Sequence, residues 1–357
     1  MSNFDHPARY WHKLDNGKYQ CDLCPHLCKL SNGQRGVCYV RGRADDQMLL
    51  HSYGRSSGFC IDPIEKKPLN HFLPGTPVLS FGTAGCNLRC KFCQNWDISK
   101  SRQMDTLASR ATPEMLALAC VQTECRSIAY TYNDPVIFLE YAVDVAQACA
   151  AQGVKSVAVS GAYINAAPRE EFFRYMDAAN IDLKGFSQKF YQKLCGGHLQ
   201  TILETLDYLV NHTDVWVEIT NLIIPGENDD RAELEAMCQW IVEHLGVQVP
   251  LHFTAFHPDY KMLDKARTPL ATLLMARNIA QAAGIRYVYT GNVGDVKTGS
   301  SYCHHCNELL IERRQYQLGQ WNLTEQGACR FCHTEFAGQF EVIPGDWGAK
   351  RQPLRFQ

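Results

Sequence analysis

From about residue 76 to 298, short apolar runs alternate with longer stretches in which apolar residues recur at helical spacing. The runs predict strands near 77–83, 127–132, 155–160, 179–183, 215–223, 250–256 and 286–290. The amphipathic stretches predict helices near 113–124, 136–151, 169–177, 199–211, 231–244 and 269–283. Thr112-Pro113-Glu114 gives one of them a hydroxyl N-cap and a proline in the first turn. Repeated strand–helix units of this kind predict an α/β fold with a parallel sheet, wound as a partial or near-closed (β/α) barrel. A doubly wound sheet is the alternative.

In a barrel, reactive groups belong at the C-terminal ends of the strands. Polar clusters fall there repeatedly: Thr131-Tyr132-Asn133-Asp134-Pro135, Asp182-Leu183-Lys184-Gly185, Ile224-Pro225-Gly226-Glu227-Asn228-Asp229, Phe256-His257-Pro258 and Thr290-Gly291-Asn292. Each lies on the side that carries a loop of three cysteines, Gly82-Thr83-Ala84-Gly85-Cys86-Asn87-Leu88-Arg89-Cys90-Lys91-Phe92-Cys93.

The flanks have different patterns. Residues 1–75 form a turn-rich, cysteine-bearing module, 76–298 the barrel, 299–345 a second cysteine module, and 346–357 a mildly basic tail expected to be mobile. Asp62-Pro63-Ile64-Glu65-Lys66-Lys67-Pro68 and the residues up to Gly75 read as a solvated charged loop.

Length and charge narrow the function classes. The 357 residues hold one large domain with small appendages. A net charge of −2 gives no broad electrostatic case for nucleic acid or an anionic membrane. No segment is long and apolar enough to span a bilayer, and the first residues lack a signal peptide's basic and apolar regions, so a cytoplasmic location is expected. The 17 cysteines cluster at metal-ligand spacings, which in a reducing compartment points to metals rather than disulfides.

Three thiolates on one tight loop, Cys86, Cys90 and Cys93, suit a [4Fe–4S] cube whose fourth iron has no protein ligand. Zinc ribbons prefer paired C-x-x-C knuckles. Such knuckles occur at Cys303/Cys306 and Cys329/Cys332, a four-thiolate site for zinc or for rubredoxin-like iron. Cys21, Cys24, Cys28 and Cys38 form a third group, suited to one zinc ion or to an auxiliary iron–sulfur cluster. The other six, Cys60, Cys120, Cys125, Cys149, Cys195 and Cys238, read as core-filling small hydrophobes.

The spacing Cys86-x-x-x-Cys90-x-Phe92-Cys93 resembles the signature of radical S-adenosylmethionine (SAM) enzymes. With the Cys-x2-Cys-Pro-His-x-Cys module, Ile64-Glu65-Lys66-Lys67-Pro68, Tyr130-Thr131-Tyr132-Asn133-Asp134-Pro135 and the terminal double knuckle, the chain resembles relatives of pyruvate formate-lyase-activating enzyme. Among these it is most similar to the radical SAM component of the AmmeMemoRadiSam system. The resemblance implies a radical SAM barrel and a [4Fe–4S] cluster on Cys86, Cys90 and Cys93. It also implies SAM contacts from Thr131, Tyr132, Asn133 and Asp134, in place of the superfamily's Gly-Gly-Glu-Pro element. Lys184 would pair with the SAM carboxylate beside Asp182, with His257 and Asn292 nearby. Tyr130, Tyr132 and Trp96 are candidates for walls around the adenine.

The activity so implied is reductive cleavage of SAM to a 5′-deoxyadenosyl radical, with reduced flavodoxin or ferredoxin as electron donor. Candidate substrates are a glycine backbone in a partner enzyme, a small molecule, or the Memo-like and AMMECR-like proteins of the named system. A non-catalytic iron–sulfur and zinc scaffold, or an electron carrier, is the reading from another class. The three-thiolate loop argues against a carrier, whose clusters usually have four cysteine ligands.

Overall fold

In the computed structural model, residues 5–101, 107 and 109–356 are described. The alternating pattern resolves into one nine-stranded sheet. Its strands are β1 (Phe59–Pro63), β2 (Pro77–Phe81), β3 (Ser127–Tyr130), β4 (Lys155–Ser160), β5 (Ala178–Asp182), β6 (Trp216–Ile223), β7 (Leu251–Ala255) and β8 (Val288–Gly291), with a tail strand, Gln352–Leu354, beyond β1. β2 to β8 are parallel and lie side by side in chain order, whereas β1 pairs antiparallel with β2 at one edge and the tail strand antiparallel with β1. The sheet is open, since β8 and the tail strand end it on opposite sides.

Parallel strands that follow one another in sequence order, each joined by a right-handed crossover, put all their helices on one face. This excludes the doubly wound alternative. The helices are α1 (Pro113–Gln122), α2 (Leu139–Ala150), α3 (Ala166–Arg174), α4 (Leu199–His212), α5 (Arg231–Leu245) and α6 (Leu270–Ala283). Thr112 caps α1 as its sequence predicts, with the hydroxyl accepting from Met115 N–H at 3.3 Å. The last two residues of the expected 127–132 strand fall outside β3, and Tyr132 adopts a left-handed φ of 69°.

Strand alternation then sorts the side chains into two faces. Leu79, Phe81, Ile128, Tyr130, Ala158, Ile181, Ile219 and Phe253 join the helices in the main core. Their neighbours Val78, Ala129, Val157 and Ala178 face inward and meet Ile64, Leu69 and Phe72. The 62–75 segment is therefore not a solvated loop. Asp62, Glu65, Lys67, Asn70 and His71 are all buried, and the segment plugs the inner face of the sheet. Glu218 on β6 clasps it, accepting from Asn70 N–H at 3.0 Å and His71 N–H at 2.7 Å. Its charges concealed this interior position in the sequence.

The flanking modules pack on this frame. Two small three-stranded sheets precede β1, which itself belongs to the main sheet rather than to the first module. The buried Arg41 ties that module to α2 through an ion pair with Glu140 at 2.7 Å. Strands 301–302, 309–314 and 317–321 make the C-terminal ribbon. Its core shares Tyr287 and Tyr289 with the end of the sheet, and Arg313 donates to Asn70 O in the plug and to Ser301 Oγ. The tail is ordered, against expectation: residues 352–354 pair with β1, and Phe356 packs edge-on against Phe59 at 4.9 Å.

Candidate functional site

The C-terminal ends of β2 to β8 surround a cavity of about 400 Å³. Cys86, Cys90, Cys93, Thr131, Tyr132, Asn133, Asp134, Asp182, Lys184 and Asn292 all line it. A larger depression of about 700 Å³ between α5 and α6 is lined by no cysteine and lies on the opposite, helical side of the sheet.

The three-thiol loop is held from several directions. Asn133 works mainly on this loop: its Oδ1 accepts from Thr83 N–H at 3.1 Å, and its Nδ2 donates to Gly85 O at 2.8 Å. From below, Arg89 N–H and Lys91 N–H donate to Cys195 O and Leu194 O at 2.7 and 2.9 Å. Those carbonyls belong to a π-helical turn, Tyr191–Cys195, closed by Gly196 in the left-handed region. The Lys100 ammonium adds a bond to Leu88 O at 2.9 Å, and Ser99 Oγ lies 3.0 Å from Cys93 Sγ.

The thiols differ in their surroundings. Burial pushes Cys86 up to about 12 and raises Cys93 as well. Cys90 is pulled the other way, below the ordinary thiol value, by the neighbouring Cys195 thiol and by Lys184 and Lys100. Cys195 is thus more than core filling, a role its sequence context did not signal.

Opposite the loop, Lys184 donates to Asp182 Oδ2 at 2.6 Å. Burial opposes the ammonium's charge, but Asp182, Cys90 and Cys195 outweigh it and hold Lys184 well above the ordinary lysine value. Its backbone is fixed at both ends, N–H to Tyr191 Oη at 3.0 Å and C=O from Asn228 Nδ2 at 2.8 Å. Asp134 is buried, which raises its carboxyl, and it bridges to the end of β4: Oδ1 accepts from Ser160 Oγ at 2.9 Å and Oδ2 from Gly161 N–H at 3.0 Å. A side chain at Gly161 would fall 2.8 Å from Leu88 Cδ1 and 3.1 Å from Asp134 Oδ2, so any larger residue there would have to displace them.

Three sequence candidates sit elsewhere. His257 is exposed, with Nδ1 2.9 Å from Pro258 O, and does not line the cavity. Tyr130 is wholly buried on the helical face, with its hydroxyl 3.2 Å from Ser156 Oγ. Trp96 is exposed and donates to Asp259 at 3.0 Å while stacking on Tyr260. Of the proposed aromatic walls only Tyr132 remains in the cavity.

The plug supplies residues not assigned to the site from sequence. Lys66, Lys67 and Pro68 line the cavity. Both lysines donate to Asp62, at 2.9 and 2.7 Å, and Tyr132 Oη donates to the same carboxylate at 2.9 Å. Burial opposes the Asp62 charge, but the two ammonium groups overcome it and hold the carboxyl at about 2. Burial draws Lys67 down to about 8. A second chamber of about 460 Å³ adjoins the first and shares Lys66, Pro68, Thr254, Asn292 and Tyr316 with it.

At the ribbon, the sulfurs of Cys303 and Cys332 lie 3.5 Å apart and those of Cys306 and Cys329 3.7 Å. A tetrahedron of thiolates about 2.3 Å from one metal has edges of about 3.8 Å, so this set fits a single ion.

Comparison with known proteins agrees with this geometry. The profile of the Radical SAM superfamily matches residues 81–241. An uncharacterized protein of Methanocaldococcus jannaschii is 39% identical over 326 residues, covering 91% of this chain and 97% of that one. The crystal structure of a radical SAM methyltransferase from Sphaerobacter thermophilus is similar in fold, with a TM-score of 0.50 and 13% identity over 80% of this chain and 76% of that one. A domain of pyruvate-formate lyase-activating enzyme from Bacteroides vulgatus gives a TM-score of 0.41 and 16% identity, covering 46% of this chain and 98% of that one. Among the described residues no helix is long and apolar enough to cross a membrane. With the three-thiol loop at the head of the matched region and a relative that spans nearly the whole chain, the protein belongs to the radical SAM superfamily, whose members are enzymes that use a [4Fe–4S] cluster and SAM.

Proposed function

We propose that this protein cleaves SAM reductively at a [4Fe–4S] cluster held by Cys86, Cys90 and Cys93, and that the second chamber receives the molecule from which hydrogen is taken. The observation that carries this reading is the convergence of the three thiols and the Lys184–Asp182 pair on one cavity. The donor set fits the groups. Three thiols on one wall would hold three of a cube's four irons, and Thr220 Oγ1, which lines the same cavity, is buried without a hydrogen-bond partner among the described residues. When bound, the cluster and SAM supply a one-electron cleavage that gives methionine and a 5′-deoxyadenosyl radical able to abstract hydrogen.

The chain's own residues do the rest. Lys184 presents a permanent cation for a carboxylate, and Asp182 fixes where that cation points. Asp134 and Asn133 bind the β3 exit to the β4 exit and to the three-thiol loop, so the cavity walls move as one. Tyr132, held by Asp62, forms a wall. Glu65, Arg267, Asp295 and Arg313 line the second chamber, which suits a polar substrate segment better than an apolar one.

Reduced flavodoxin or ferredoxin would supply the electron. The order of motifs, from the N-terminal cysteines through Ile64–Pro68 to the double knuckle, supports a substrate among the Memo-like or AMMECR-like proteins of the AmmeMemoRadiSam system. The test is anaerobic reconstitution with iron, sulfide, SAM and dithionite. The expected product is 5′-deoxyadenosine, absent from Cys90→Ala although that variant keeps its ribbon metal. Product formation by Cys90→Ala would remove the cluster assignment. Deuterium transferred from a labelled candidate protein into 5′-deoxyadenosine would identify the substrate.

A further inference from the structure

The N-terminal module contains a second set of converging thiols. Cys21, Cys24 and Cys28 come from one hairpin, in which Cys21 N–H donates to Cys28 O at 2.9 Å and Leu27 N–H to Cys24 O at 3.1 Å. Cys38 arrives from the next turn, shaped by Gly36 N–H to Arg41 O at 2.8 Å and Tyr39 N–H to Gly36 O at 2.9 Å. All four cysteines line one small void.

The spacing of these sulfurs distinguishes two kinds of metal. Among the described residues, the ribbon cysteines are the one group of three or more potential ligands whose donor atoms all lie within 4.8 Å of one another. The N-terminal sulfurs are more widely spaced than that, no three of them lying within 4.8 Å of one another. So are Cys86, Cys90 and Cys93, the three assigned to a cube of iron and sulfide. One zinc ion needs the tight set, whereas a cube, with a separate iron for each thiolate, needs the spread one.

Two donors without other work face the same void or its ligands. Arg41 lines the void and is 1% exposed, and its Nε–H has no partner among the described residues although both terminal nitrogens are engaged. Val37 N–H points at Cys28 Sγ from 3.5 Å. N–H groups aimed at sulfur are what an iron–sulfur cluster uses to tune its potential.

The site also abuts the first one. Asn87, next to Cys86, lines the N-terminal void, and its carbonyl lies 2.7 Å from His26 Nε2. A side chain at Gly85 would fall 1.9 Å from Cys38 O, so the two thiol loops touch through their backbones.

We propose that Cys21, Cys24, Cys28 and Cys38 hold a second [4Fe–4S] cluster, ligated on all four irons, that relays electrons to the three-thiol site. With no open iron it is a carrier rather than a SAM-binding centre. It takes one electron from a low-potential carrier protein of the flavodoxin or ferredoxin class, or from dithionite, and gives one up to the neighbouring site; no bond is made or broken. The relay rests on the SAM-cleaving function proposed above, whereas the metal site does not.

The test is metal content and electron paramagnetic resonance on the full-length chain, purified and reconstituted anaerobically. About eight irons and eight sulfides per chain are expected, with one further metal in the ribbon. The triple variant Cys86→Ala, Cys90→Ala, Cys93→Ala should keep about four irons and a dithionite-reduced signal that does not respond to SAM. The double variant Cys24→Ala, Cys28→Ala should also keep about four, with a signal that does respond. Ribbon metal retained in each variant reports that the chain is folded. A triple variant with no iron, or with a second equivalent of zinc instead, overturns the proposal. If the triple variant fails to fold, a double variant with the full iron content overturns it equally. Loss of SAM cleavage in the intact chain with eight irons present would instead count against the function and leave this site standing.

Discussion

Lys184 Nζ lies 2.6 Å from Asp182 Oδ2, so the cation offered to a carboxylate ligand is already held in place by one of the protein's own. A charged hydrogen bond of this kind contributes about 1.5–3 kcal/mol. Lys184→Met is therefore expected to weaken SAM binding about 10- to 100-fold while the iron content stays that of the parent protein. Equilibrium dialysis with labelled SAM reads the affinity directly. An unchanged dissociation constant would mean that Lys184 serves only Asp182.

The Cys195 thiol is buried beside that of Cys90, in the turn beneath the three-thiol loop, placed to donate to a sulfur there. Hydrogen bonds to cluster sulfurs raise a reduction potential. Cys195→Ala should keep all its iron yet show a more negative midpoint potential for the SAM-responsive cluster, followed by redox titration. Loss of iron in this variant would show that Cys195 is a ligand.

The plug gives stability an unusual dependence on pH. Burial pushes Glu65 up to about 7. Between the ordinary carboxylate value and 7 the native chain holds a proton that the unfolded chain has released, so this group lowers stability as pH rises. His71, driven down to about 4 by burial, acts with the opposite sign as pH rises from about 4 to its ordinary value, because there the unfolded chain holds the proton. Glu65→Gln removes only the first effect. The variant should gain on the parent by about 3 kcal/mol between pH 4.5 and 8, measured by denaturant midpoints. Parallel pH profiles would mean that Arg313 keeps Glu65 ionised.

The ordered tail covers the free edge of β1. Truncation after Gly348 should lower the unfolding temperature by about 3–6 °C and bring concentration-dependent light scattering, because an uncovered strand edge pairs with other chains. Scattering and melting identical to the parent would show that the edge does not need its cover.

Most of the sheet was legible because a parallel strand and its crossover helix have different periods in the sequence. The seven strands β2–β8 fall within a few residues of the apolar runs, and Thr112 caps α1 as expected. The site was legible to the extent that the chemistry lay at strand ends: the three thiols, Asp134, Asp182 and Lys184 meet in one cavity. What escaped was tertiary. Asp62 and Lys67 look solvated until their mutual neutralisation, helped by the half-buried Lys66, lets them be buried. Cys195 gained its role from a turn that only folding brings beneath Cys90, and His257 lost its expected one because its loop carries the ring out to solvent. The tail has a strand's pairing but no strand-like composition.

Arg313 and the carbonyl of Ala337 both grip the plug, at Asn70 and at the His71 ring, a few residues from the lysines that line the three-thiol cavity. An ion held by the four ribbon thiols would thus act as a remote clamp on that cavity. Chelating it, with both iron sites intact, should loosen that lining and be felt as poorer retention of SAM by a cavity that holds none of the four thiols removed from service.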